Sequence, residues 1–83
     1  MWVQPKEHQI VGAALADARN TAGITQAQLA RALRKPQSFV SNYERGQRRL
    51  DILELLRIVD ALKADPQKVF DAILAAKRGS RRR

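Results

Sequence analysis

The residues from Thr25 to Gly46 constrain this chain more than any other stretch, because they encode two short helices separated by a break of only a few residues. Thr25 with Gln28 has the spacing of a capping box, and Ile24 with Leu29 that of a hydrophobic staple, so the start of the first helix is fixed. Leu29, Ala30 and Leu33 form its apolar stripe, and Ala30 is small enough to let another helix cross closely over it. Pro36 ends this helix and opens the next, since proline suits a first helical turn and disfavours a helical residue before it. Gly46, directly after Arg45, reads as a helix C-cap.

On a helical wheel of about 100° per residue, Gln37, Ser38, Ser41, Asn42 and Arg45 occupy one continuous arc of the second helix. Phe39, Val40 and Tyr43 occupy the other. The first arc carries groups able to hydrogen-bond the edges of DNA bases, and Gln and Asn are suited to a bidentate contact with adenine. The second arc can anchor the helix in a small core. Together these features are the layout of a helix-turn-helix. A helical pair of this sort also occurs inside small bundles with no DNA role, so the charge around it has to decide.

The net charge is +8, and its placement is uneven. Residues 31–49 hold six basic side chains (Arg31, Arg34, Lys35, Arg45, Arg48 and Arg49) against Glu44 alone. Residues 77–83 add five more with no acid, whereas the remainder has five basic and seven acidic residues. The positive excess is thus confined to the helical pair with its flanking loop and to the C-terminal stretch. A clustered positive field of this kind suits a polyphosphate partner, through neutralised phosphates and released counterions.

Eighty-three residues suffice for one small domain. Without cysteine there are no disulfides and no usual structural zinc site, and the lone His8 has no ligand cluster around it, so neither metal nor cofactor is expected. Ser38 and Ser41 have no base placed by sequence to activate them, which argues against an enzyme. The apolar runs are too short for a membrane span, and Met1–Ile10 lacks a secretory pattern, so a cytoplasmic, nucleoid-associated protein is expected.

Five helices and no strand are expected, an all-α fold. Residues 1–7 comprise an N-terminal arm and the start of helix 1, which Pro5 opens and Gly23 closes, with Ile10, Ala14, Leu15 and Ala18 facing inward. Asp51 with Glu54 forms a carboxylate capping box, Leu50 and Leu55 repeat the staple spacing, and Leu55, Leu56, Val59 and Leu62 are the core face of helix 4. Asp65 and Pro66 start helix 5, whose apolar set is Val69, Phe70, Ile73 and Leu74. The DNA-binding domain is thereby expected over 8–76, followed by a disordered basic tail over 77–83. Trp2, on the terminal arm, either folds back onto the small core, the preferred expectation, or meets a partner.

The run Gly23-Ile24-Thr25-Gln26, then Leu29-Ala30, then Pro36 through Gly46 resembles the phage repressor and Cro-type regulators of the XRE family, and the similarity extends from Leu15 to Leu74. That resemblance implies a compact, lambda-repressor-like domain of five helices that binds a palindromic double-stranded DNA operator as a homodimer, as a transcriptional regulator and most simply a repressor. By position it implies that Gln37, Ser38 and Asn42, with Ser41 beside them, contact bases. It implies that Gln26 contacts a phosphate at a helix N-terminus, that Arg48 and Arg49 touch the backbone, and that Arg19 and Glu44 form a structural pair. Lys35 and Arg45 join the phosphate-contacting set through their charge. Arg34 stands where many members have glycine, so either it takes a left-handed conformation at about 1–2 kcal/mol of strain or the turn has another shape. Two alternatives use the same motif: an antitoxin holding a toxin protein on another face, and a restriction-modification controller protein.

Overall fold

The computed structural model describes residues 5–81, and within them the chain forms helices α1 (Pro5–Thr21), α2 (Gln26–Leu33), α3 (Gln37–Glu44), α4 (Ile52–Leu62) and α5 (Pro66–Arg81). Trp2 and the rest of the arm lie outside the described residues. Both sequence-encoded capping boxes are present. Thr25 Oγ1 accepts from the Gln28 N–H at 3.1 Å and Asp51 Oδ1 from the Glu54 N–H at 2.8 Å, each returned by the Gln28 or Glu54 side chain. Asp65 Oδ1 accepts from the Gln67 N–H at 2.9 Å and starts α5.

The first four helices end alike. The backbone N–H groups of Ile24, Lys35, Gln47 and Ala64 each bond back five residues, after a residue of positive φ: Gly23, Arg34, Gly46 and Lys63. This is the Schellman arrangement, in which a left-handed residue lets the chain satisfy the last carbonyls of a helix. Arg34 does adopt it, with φ 59° and ψ 44°.

Leu15 of α1, Leu29 and Ala30 of α2, Phe39, Val40 and Tyr43 of α3, Ile58, Val59 and Leu62 of α4 and Val69 of α5 make the buried core. Helix α1 packs against α3, α4 and α5, while α2 packs against α3 and α4. Two expected core faces are corrected. Leu56 is 42% exposed and Ile58 is buried in its place; Phe70 is 54% exposed, although it belongs to the apolar set of α5. Helix α4 is apolar at eight of its 11 positions, so its periodicity does not single out one face. Packing against α1 and α2 selects the stripe of Leu55, Ile58, Val59 and Leu62 and leaves Ile52, Leu53 and Leu56 outside.

The C-terminal helix also exceeds its expected end. Where a disordered tail was expected from residue 77, α5 continues to Arg81. Ala75, Ala76, Lys77 and Arg78 are all strong helix formers, cations near a helix C-terminus oppose its dipole, and Lys77 Nζ reaches Glu7 of α1 at 3.5 Å.

Helix α1 meets the end of α3 at Gly12. A Cβ there would overlap the carbonyl oxygen of Tyr43 and lie 2.6 Å from that of Glu44, both main-chain atoms that cannot swing aside. Glycine inside a helix is unfavourable by about 1 kcal/mol relative to alanine, so its place here is explained by the close approach. Gly12→Ala is therefore expected to lower stability by about 1–3 kcal/mol, read as a fall in the midpoint of thermal unfolding, instead of the gain that helix propensity alone would give. Arg34→Gly is expected to raise stability by about 1 kcal/mol through relief of the left-handed backbone, measured in the same way.

Candidate nucleic-acid interface

Helix α3 divides as the wheel requires. Phe39, Val40 and Tyr43 are buried, whereas Gln37, Ser38 and Arg45 are exposed and Ser41 and Asn42 are half-exposed on the opposite side. Phe39 and Tyr43 stack edge to face one turn apart, with ring centroids separated by 5.5 Å, and their burial with Val40 in the common core fixes the rotation of the helix about its axis. Arg45 Nη2 donates to Asn42 Oδ1 at 2.9 Å, so the last two polar residues of the arc are already joined.

Gln26 stands at the first position of α2, where unpaired N–H groups and the helix dipole favour an anion. Its side chain links the two helices of the motif. Gln26 Nε2 donates to Glu44 Oε1 at 2.8 Å, and Gln26 Oε1 accepts a long bond from Gln37 Nε2 at 3.4 Å. Glu44 in turn accepts from Arg19 Nε at 2.7 Å and Arg19 Nη2 at 3.1 Å, while Arg19 Nη1 donates to the Ile24 carbonyl at 2.8 Å. A continuous polar chain thus runs from Gln37 on the exposed arc, through Gln26 and Glu44, to Arg19 on α1. The Arg19–Glu44 side chains are largely buried, 13% and 7% exposed, which makes the loss of either partner costly because it strands the other charge.

Beside this chain the Tyr43 hydroxyl is buried and has no hydrogen-bond partner among the described residues. Burial pushes its pKa well up, and the Glu44 carboxylate adds to the shift, so the group stays neutral.

The basic residues expected at phosphates fall into two groups. Arg45, at the end of the recognition arc, and Arg49, in the loop before α4, are exposed. Lys35 and Arg48 flank an aromatic ring instead: Lys35 Nζ lies 5.4 Å and Arg48 Cζ 4.7 Å from the centroid of Phe39. Arg48 is further bound to both carboxylate oxygens of Glu54, at 3.1 and 3.0 Å. Those bonds, with the Asp51 N–H, hold the Glu54 carboxyl below the usual carboxylate range. The Arg48–Glu54 pair escaped the sequence reading because Glu54 was already accounted for as a capping residue. The link from Gln26 to Glu44 escaped it because the two are 18 residues apart and meet only through the fold.

The chain matches the family model described as helix-turn-helix over residues 15–69. No curated protein matches it significantly. Among solved structures it is similar to the XRE-family like protein from Pseudomonas syringae pv. tomato, at 38% identity over 86% of this chain and 87% of the other, with a TM-score of 0.74. It is similar to the clp gene regulator ClgR from Corynebacterium glutamicum, at 29% identity over 83% and 88%, with a TM-score of 0.77. It is also similar to the restriction-modification controller protein C.Esp1396I, solved as a tetramer with its natural 35 base-pair operator, at 25% identity over 83% and 91%, with a TM-score of 0.75. A helix with a buried aromatic face and an amide-bearing outer arc, set behind a capped partner helix and matched along most of the chain, leaves one assignment: the protein belongs to the helix-turn-helix family of XRE-type DNA-binding transcription regulators.

Proposed function

We propose that the protein is a repressor that lays α3 in the major groove of double-stranded DNA and reads sequence through Gln37, Ser38, Ser41 and Asn42. The observation that carries this reading is the outer arc of α3, where these side chains and Arg45 face away from a fully packed core. Gln26, Lys35, Arg45 and Arg49 are the proposed phosphate contacts, with Gln26 acting at the N-terminus of α2. The reading makes the protein a binder without catalysis, acting in the cytoplasm and associated with the nucleoid. Among the described residues no helix is long and apolar enough to cross a membrane.

A homodimer on a palindromic operator is part of the proposal. Ile52 (62% exposed) and Leu56 on α4 and Phe70 on α5 line one shallow apolar hollow together with Leu55 and Pro66. Large side chains left outside a small core and gathered on one side suit a second copy of the same surface. Two recognition helices so related would enter successive major grooves about 34 Å apart. A toxin as the partner of this surface has no specific observation behind it.

Selection of bound sequences from random duplex DNA, read together with the mass of the protein in solution, tests specificity and half-site symmetry at once; recovery of no enriched sequence would sink the reading. On the recovered duplex, Gln37→Ala or Asn42→Ala is expected to cost about 1–3 kcal/mol at the base pair it reads and to relax preference there. Arg49→Ala is expected to weaken all sequences alike and to reduce the slope of log affinity against log salt by about 0.9. Phe70→Glu is expected to halve the solution mass without unfolding the chain, checked by sedimentation and circular dichroism.

A further inference from the structure

Arg48 lies in the loop that precedes α4, within the basic stretch proposed to face DNA, and its side chain, although 40% exposed, has its guanidinium bound to the protein's own groups. Its two terminal nitrogens grip both oxygens of Glu54 at 3.1 and 3.0 Å, the forked geometry in which arginine pairs most strongly with a carboxylate. Nη1 also donates to the Arg49 carbonyl at 2.7 Å. The guanidinium carbon sits 4.7 Å from the centre of the Phe39 ring, within cation–π distance.

Each of these partners belongs to a different part of the motif. Phe39 is the third residue of α3 and packs edge-on against Tyr43. Arg49 is main chain of the connecting loop. Glu54 closes the capping box of α4, where its Oε1 also accepts the Asp51 N–H at 3.0 Å. One guanidinium therefore ties the recognition helix, the loop and the first turn of α4 together.

We propose that Arg48 is a positioning residue for the recognition helix, bound to Glu54 and seated on Phe39, and that it makes no phosphate contact. The inference rests on the DNA-binding reading above, and it reassigns the one basic residue of the loop whose charge is already neutralised. Arg49, its neighbour, has no ion pair among the described residues and keeps the phosphate role. Counterion release counts only those charges that are placed on phosphates, so a latch and a phosphate contact predict different salt dependence even when both lower affinity.

The test uses the whole chain and the duplex recovered by selection, with affinity measured from about 50 to 200 mM salt. Arg48→Met keeps an apolar stem over Phe39 and removes the charge; Glu54→Gln keeps the capping hydrogen bond and removes the partner. Arg48→Met is expected to weaken binding roughly three- to tenfold with an unchanged salt slope, and to cost much less when made in the Glu54→Gln background. In the Arg48→Met single variant the Glu54 carboxyl, followed by NMR titration, should rise towards the ordinary carboxylate range, with the Asp51 N–H still holding it partly down. Three results would each overturn the proposal: a slope reduced by about 0.9, as for a lost phosphate contact, an unchanged affinity, or a loss of the same size in both backgrounds. Failure of the DNA-binding reading itself looks different, because the unaltered protein would then enrich no duplex at all, and Arg49→Ala would have no salt slope to reduce.

Discussion

The close seat of α1 against the last turn of α3 is the contact on which the rest depends. Helix α3 has eight residues, well under the length at which a helix is stable alone in water, so its shape is lent to it by its neighbours. Gly12 allows the α1 backbone to reach the Tyr43 and Glu44 carbonyls, and Arg19, two turns further on, holds the Glu44 carboxylate. With that end fixed, the Phe39 and Tyr43 rings set the rotation of the helix, and the outer arc follows.

The same arrangement couples the outer face to the interior. The side chain of Glu44 accepts from Arg19 on one side and from Gln26 on the other, and Gln26 extends the chain towards Gln37. Hydrogen bonds in such a series polarise one another and are strongest where water is excluded, as it largely is around Arg19 and Glu44. A residue presented to bases is thereby linked, in three steps, to the helix that supports it from behind.

Much of this could be read from the sequence, and the reasons are local. Capping boxes, staples and the Pro36 boundary depend on side chains three to five residues apart, so Thr25–Gln28 and Asp51–Glu54 name their own helix starts. The division of α3 needed only its 3.6-residue period. What stayed hidden depended on neighbours distant in sequence. Gly12 carries no signal of close approach until α3 is laid against it, and Leu56 and Ile58 are equivalent until α1 and α2 choose a face of an almost wholly apolar helix. Arg48 reads as one more surface cation because its partners are a ring nine residues back and an acid six residues on. The Arg34 turn was legible as a choice between two conformations, and the Lys35-to-Ala30 bond selects the left-handed one.

The extension of α5 to Arg81 changes what its basic end can reach. Residues 77–81 as extended chain would span about 17 Å, free to sweep a wide volume for phosphates; as helix they advance about 7.5 Å along one line. Lys77 and Arg78 are carried on a rod braced against α1 through Glu7. Their charge then acts as a fixed feature of the protein's shape, with a short capture radius and a set direction, and any attraction they exert falls away with the orientation of the whole domain.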